Sequence, residues 1–323
     1  MMGRSYLVTG GAGFIGSNFI RQLLAEEPRA KVTNLDLLTY SGVEATVAEL
    51  DTDTRHTFVR GDIRDAATVD DVVAGADVIV NFAAESHVDR SISGPRPFLE
   101  TNVVGTGVLL EAARRHGVER FVHVSTDEVY GSLAGGSAAE DHRLEPSSPY
   151  SASKAGADLL VGAYRVTHGY PAIITRCTNN FGPYQVPEKV IPLFVTNLLD
   201  SRKVPLYGDG RNERDWLHVD DHCRAIRLLV AEGEPGETYN IGADNQLTNI
   251  ELTRRILDAL GADESMIERV TDRPGHDLRY AVDSSKIRRL GWKPERDFDE
   301  HLLRTIDWYR DRRDWWEPLR SRG

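Results

Sequence analysis

Short runs of β-branched and aromatic residues recur through the first half of the chain, each followed by a stretch whose apolar residues return every three or four positions. The runs fall at residues 6–9, 31–37, 57–60, 78–81, 121–125 and 172–175. The spacing predicts helices over 14–25, 98–116 and 149–165. The second closes on Arg114, Arg115 and His116 before Gly117, cations suited to the negative end of a helix and a glycine suited to its stop. Strand and helix in alternation predict an α/β fold, a doubly wound parallel sheet of the Rossmann type, over residues 1–177. Past residue 177 the pattern loosens into Pro- and Gly-rich stretches at 181–187, 208–212 and 273–277. Residues 178–323 are therefore expected to form mainly a smaller α/β substrate-binding region. A strand near 217–219 and a helix over 221–231 are the segments expected to be able to return to the sheet. The aromatic tail of Trp308, Tyr309, Trp315 and Trp316 is expected to pack on the core or on a second subunit.

Composition narrows the partners. The 323 residues are 40% hydrophobic, enough for one large or two moderate domains, and carry a net charge of −11. Binders of nucleic acid usually present a basic face, so no nucleic-acid partner is expected and any bound phosphate must be met by local cations. No leading basic-then-apolar segment occurs, and no apolar run approaches the roughly 20 residues of a membrane span. The expectation is a cytoplasmic chain with no membrane partner. Cys177 and Cys223 have neither the spacing of metal ligands nor the density of a disulfide scaffold. His218 and His222 with Cys223 lack a third ligand in a suitable place, so no metal site is expected.

Gly10-Gly11-Ala12-Gly13-Phe14-Ile15-Gly16 follows the first predicted strand and opens the first predicted helix. In that setting Gly10 allows the tight turn, Gly13 lets backbone approach a pyrophosphate, and Gly16 permits close packing of helix on strand. Asp36 lies at the end of the second strand, placed for an adenosine ribose diol and hostile to a 2′-phosphate, which favours NAD over NADP. Asp62 and Ile63 follow the third strand, either a surface turn or a contact with adenine.

Tyr150 and Lys154 stand four apart on a predicted helix and so share a face. A tyrosine is a base at neutral pH only if its phenolate is favoured, which an adjacent ammonium and a positive nicotinamide ring would do. Thr126, Asp127 and Glu128 follow the fifth strand at the carboxyl edge of the sheet, where open α/β folds bind ligands. Adjacent strand residues point to opposite faces, so both acids reach one site only if the chain turns there. Lys189 and Arg214 are the local counter-charges for a diphosphate, arginine being suited to bidentate contact.

The segments 9–16, 83–91, 125–131 and Tyr150-Ser-Ala-Ser-Lys154 resemble the extended short-chain dehydrogenase/reductase family, in its NAD-dependent epimerase/dehydratase group. Later segments at 178–185, 188–192, 214–219 and 272–277 extend the resemblance through nearly the whole chain, and it is strongest to the dehydratases of nucleoside diphosphate sugars. Epimerases of the group usually carry Ser and small residues where this chain has Thr126-Asp127-Glu128, and related dehydratases and decarboxylases keep the glutamate without the aspartate.

The resemblance implies NAD as cofactor, with contacts from Gly10, Gly13, Phe14, Ile15, Gly16, Asp36, Asp62, Ile63, Ala83, Ala84, Ser86, Thr101, Tyr150, Lys154 and Asn180. It implies a nucleotide-sugar site using Glu85, Ser86, Thr126, Asn179, Lys189, Val190, Pro205, Tyr207, Arg214, Asn249 and His276. The implied activity is that of a lyase on dTDP-glucose: oxidation at C4, loss of water across C5 and C6, and hydride return to C6. Tyr150 with Lys154 would take the 4-hydroxyl proton and Thr126 orient that oxygen, with Glu128 the base at C5 and Asp127 the acid at C6. The alternatives are a 4-epimerase, which needs neither acid, and a UDP-glucose 4,6-dehydratase. A homodimer through the helices over 103–115 and 150–165 is also implied.

Overall fold

Strand β1 (Ser5–Thr9) is apolar on both sides because helices cover both. Tyr6 and Val8 enter one buried cluster with Phe19, Ile20 and Leu23 of the helix Phe14–Glu26, whereas Leu7 enters another with Leu109 and Leu110 of the helix Thr106–His116. This is the pattern of a parallel sheet buried between two helical layers. In the computed structural model, which describes residues 3–322, the strands that follow are β2 (Lys31–Asp36), β3 (His56–Arg60), β4 (Val78–Asn81), β5 (Arg120–Thr126) and β6 (Ala172–Cys177). Beyond them come β7 (Asn179–Phe181), β8 (Val204–Tyr207), β9 (Glu213–His218), β10 (Thr238–Ile241), β11 (Gln246–Thr248) and β12 (Ile267–Val270). The main sheet has the order β10-β6-β5-β4-β1-β2-β3 and every pairing in it is parallel. Strand order reverses between β1 and β4, which opens a crevice at the carboxyl ends of the strands.

Two expectations are corrected. The strand over Glu213–His218 stays out of the main sheet and joins β7 and β11, and Thr238–Ile241 returns beside β6 instead. Asp215 of β9 accepts from the backbone N–H groups of Ala243 and Asn245 at 2.9 and 2.6 Å, which ties β9 to the segment just after β10. Tyr239 and Ile241 of β10 instead join the main core. The segment over 98–116 is not uniformly α-helical, since Leu99–Gly105 forms a π-helix before Thr106–His116. At that wider turn Asn102 accepts from Glu85 N–H at 2.9 Å and donates to the Ser153 hydroxyl at 2.8 Å, tying two walls of the crevice together. Single π turns inside helices are frequent at functional sites.

A second core lies in the C-terminal half, where Phe181, Phe194, Trp216, Leu252, Ile256 and Phe298 pack with Tyr309, Trp315 and Trp316. The aromatic tail therefore belongs to this chain's own interior. The Trp315 indole N–H donates to Thr46 Oγ1 at 3.0 Å, which ties the tail to the helix Glu44–Leu50 in the first half. Trp315→Ala is expected to lower the unfolding free energy by about 3–5 kcal/mol, measured by urea denaturation; a loss well under 1 kcal/mol would show that the tail is not a structural clasp.

Candidate active site

The glycine loop makes a cradle that only glycine fits. Gly10 has φ +71°, a left-handed conformation that costs other residues energy, and a Cβ there would stand 2.6 Å from Ala83 N. A Cβ at Gly16 would stand 2.4 Å from the Gly10 carbonyl oxygen. Asp36, at the end of β2, accepts from Ala12 N–H at 3.0 Å through Oδ2 and from Leu38 N–H at 2.8 Å through Oδ1, so its carboxylate is fixed at the edge of the loop. Around this cradle runs a cavity of about 360 Å³. Its lining includes Gly10, Gly13, Phe14, Ile15, Gly16, Asp36, Asp62, Ile63, Ala83, Ala84, Ser86 and Thr101. Thr126, Asp127, Glu128, Tyr150, Lys154, Glu85, Asn179, Asn180 and Lys189 line the same cavity. The residues fit a dinucleotide: a bare backbone cradle at a helix start for the pyrophosphate and a fixed carboxylate one strand away for a ribose. Asp62 is spent on Arg64, at 2.6 Å.

The turn that the two acids require is present. Thr126 ends β5 and caps a 3₁₀ turn over Asp127–Tyr130, its hydroxyl accepting from Glu128 N–H and donating to Asp127 Oδ1, each at 3.2 Å. The turn brings consecutive side chains into one cavity, where a continued strand would have parted them. Burial raises the Asp127 carboxyl well above the usual carboxylate range, and the charge of Glu128 adds to that, with Arg214 opposing. Glu128 is raised less: burial lifts it, while Arg214, Arg273 and Lys189 favour its charged form. Two acids adjacent in sequence thus have unequal proton affinities, Asp127 the proton holder and Glu128 the better anion.

Tyr150 is the second residue of the helix Pro149–His168, whose first turn is set by Pro149 and by a capping box between Ser148 and Ser151. Its backbone N–H donates to Ser91 Oγ at 3.2 Å, and its ring meets Phe98 edge-on at 6.3 Å. The protein's own charges do not favour the phenolate. Burial raises Tyr150 well above its ordinary value and Glu128 adds to that, with a hydrogen bond to Thr126 opposing. Lys154 Nζ donates to the Val124 carbonyl at 2.7 Å, and burial draws Lys154 itself down to about 8.

Val190, Pro205, Tyr207, Arg214, Asn249 and His276 stand outside the cavity lining. Arg214 is buried, donating to the Asp277 carbonyl at 2.9 Å and stacking on Tyr280 at 4.2 Å, and it reaches Asp127 and Glu128 through its charge. Tyr207 and His276 meet edge-on at 6.1 Å, and the Tyr207 hydroxyl donates to Asp89 at 3.3 Å. Val190 begins the helix Val190–Leu199, Asn249 begins Asn249–Leu260, and Pro205 lies in β8. Sequence reasoning missed Arg273, whose charge acts on Glu128 and which lies 3.6 Å from Asp89; it sits in the segment 272–277, but nothing in its spacing points to Glu128. Cys177, which the sequence assigns to neither a metal site nor a disulfide, also lines the cavity. His222 receives a structural use: its Nδ1 lies 3.0 Å from Asn180 Oδ1. His218 caps the helix Val219–Glu232 by accepting from Asp220 N–H at 3.3 Å.

Comparison with known proteins agrees with this geometry. The family described as GDP-mannose 4,6 dehydratase matches residues 7–305. The dTDP-glucose 4,6-dehydratase of Streptomyces antibioticus is 57% identical over 322 residues, covering 98% of this chain and 95% of the relative. The crystal structure of DesIV, a dTDP-glucose 4,6-dehydratase from Streptomyces venezuelae with NAD bound, superposes with a TM-score of 0.96 at 58% identity, over 98% of this chain and 99% of that one. The UDP-glucose 4-epimerase of Thermus thermophilus, also with NAD, gives a TM-score of 0.88 at 32% identity, over 95% of this chain and 99% of that one. The shared fold thus extends to epimerases while the sequence stands nearer the dehydratases, and the chain belongs to the dTDP-glucose 4,6-dehydratases of the extended short-chain dehydrogenase/reductase family.

Proposed function

We infer that the chain converts dTDP-glucose to its 4-keto-6-deoxy derivative with loss of one water, as an NAD-dependent hydro-lyase. The observation that carries this reading is the pair Asp127 and Glu128 on one turn, in one cavity with Tyr150, with unequal proton affinities. NAD, held by the glycine loop and Asp36, supplies the acceptor for the C4 hydride and its return to C6. Tyr150 takes the proton of the 4-hydroxyl, while Thr126, already hydrogen-bonded at the same corner, orients that oxygen. A C4 ketone acidifies the C5 hydrogen. Glu128, favoured as an anion by three cations, removes that proton, and Asp127, holding its own, passes it to the departing 6-hydroxyl. Glu128 then gives its proton back to C5. The proton gained by Tyr150 and the one lost by Asp127 balance, so the cycle consumes neither acid nor base. Lys189 and Arg214 are the proposed cations for the substrate diphosphate, and the cytoplasm is the proposed compartment.

The proposed assembly is a homodimer. Leu99 and Val104 on the segment 99–116, and Leu159 and Val166 on Pro149–His168, are 51%, 55%, 67% and 81% exposed. That is apolar surface on both helices of the expected interface, which a second copy would cover.

Purified chain is expected to release the alkali-absorbing 4-keto product from dTDP-glucose faster than from UDP-glucose. Asp127→Asn is expected to keep the C4 oxidation, so that NADH absorbance builds up transiently, while elimination slows by about a hundredfold or more. Elimination at the parent rate in that variant would remove the acid role of Asp127, and an epimerised product would replace the whole reading. Light scattering is expected to give twice the chain mass for the parent and a shift toward one chain for Leu159→Glu; a parent that stays monomeric at micromolar concentration contradicts the dimer.

A further inference from the structure

His222 of the helix Val219–Glu232 is a fully buried imidazole with no part in the steps above. Its Nδ1 lies 3.0 Å from Asn180 Oδ1, and donor and acceptor can be told apart at this contact. Asn180 Nδ2 donates to the Thr178 carbonyl at 2.9 Å; turning the amide over would set two oxygens against each other. Oδ1 therefore accepts, and His222 donates from Nδ1–H. Its other nitrogen, Nε2, is buried without a hydrogen-bond partner among the described residues, and burial keeps the ring neutral. An aliphatic side chain would fill this space and leave no nitrogen unpaired, so the bond to Asn180 is what an imidazole adds here.

Asn180 is the middle residue of β7, a strand of 3 residues that pairs with β9. A ladder that short has few backbone bonds, so side-chain bonds bear on where it lies. Adjacent strand residues point to opposite sides. Asn180 and Asn179 both line the cavity, but His222 and the Thr178 carbonyl engage both ends of the Asn180 amide. No hydrogen bond engages the Asn179 amide among the described residues, which leaves it the free amide of the pair. The clasp continues along the chain. Gln185 Nε2 donates to the Asn180 carbonyl at 3.1 Å, and the Gln185 carbonyl accepts from the Tyr309 hydroxyl at 2.5 Å. Further on, Lys189 lines the same cavity and donates to the Ser86 carbonyl at 2.8 Å. The stretch 178–189 thus carries Asn179 and Lys189, both read above as residues of the nucleotide-sugar site, and His222 grips it from behind.

We propose that His222 is a positioning residue for the nucleotide sugar: its Nδ1–H holds the Asn180 amide, and through it the segment that presents Asn179 and Lys189 to the substrate. The proposal rests on the nucleotide-sugar reading above, and its first test needs no turnover. Two variants separate the bond from the packing. His222→Phe keeps a ring of similar size and loses the donor, whereas His222→Asn loses the ring and keeps a donor where Nδ1 stands. In the full-length protein loaded with NAD, calorimetric titration with dTDP is expected to show affinity lower by about tenfold for His222→Phe and within about twofold of the parent for His222→Asn. NAD affinity is expected to stay within about twofold in both, since the glycine loop and Asp36 are untouched. In turnover, His222→Phe is expected to raise KM for dTDP-glucose and to leave kcat near that of the parent. Unchanged dTDP affinity in His222→Phe, or a larger loss in His222→Asn than in His222→Phe, would make His222 a packing residue and overturn the proposal. If His222→Phe does not fold, His222→Leu takes its place, and nitrogen NMR of the parent reads the bond itself. The proposal requires a protonated Nδ1 and a bare Nε2; the opposite tautomer would overturn it. A parent that does not bind dTDP would refute the nucleotide-sugar reading and take the proposal with it. One that binds dTDP as expected but does not dehydrate dTDP-glucose would refute the proposed reaction and leave the role of His222 standing.

Discussion

Two carboxyl groups on consecutive residues cannot both ionise cheaply in a buried cavity. Burial penalises each charge, and each charge penalises the other. The turn after β5 creates this conflict and the surrounding cations resolve it in one direction. Lys189, Arg214 and Arg273 come from three separate segments of the chain, and all three favour the anion of Glu128 against burial and Asp277, whereas Asp127 has Arg214 and a hydrogen bond from Thr126 against burial and the charges of both Glu128 and Asp215. An acid and a base are thereby made from chemically similar groups side by side. The rest of the structure serves to hold that arrangement at the mouth of a dinucleotide site.

The sheet supplies the geometry. Reversal of strand order between β1 and β4 places the glycine loop, the end of β5 and the start of the helix Pro149–His168 around one crevice. The π-helical turn at Leu99–Gly105 and the clasp of Trp315 on Thr46 join segments far apart in sequence. Asp158 and Arg176 form a buried ion pair at 2.9 Å, interior to the protein and screened little by salt. The phenol of Tyr150 is raised by burial and by Glu128. Burial and the nearby acids favour the phenol form, and the positive ring of a bound nicotinamide would oppose them.

Much of this was legible in the chain. Six strands of the main sheet follow from apolar runs between helical patterns, and Gly10 to Gly16 mark the cradle because only glycine tolerates that turn and that contact. Asp127 and Glu128 stood out by their place after a strand, although a strand by itself would have parted them. What stayed hidden depends on contacts distant in sequence. The placing of β10 rather than β9 in the main sheet is a pairing between segments distant in sequence, which no local pattern reveals. The π turn depends on Asn102 meeting Glu85 and Ser153. Arg273 reaches Glu128 only through the fold, and the direction of the Tyr150 phenol is set by burial, which periodicity does not report.

The central claim is that Glu128 is the base that removes the C5 proton once C4 has been oxidised. Its most direct test is Glu128→Gln incubated with dTDP-glucose in deuterated water, with exchange at C5 followed by NMR. The account requires NADH to form while C5 keeps its hydrogen. Exchange of deuterium into C5 at the parent rate would contradict it.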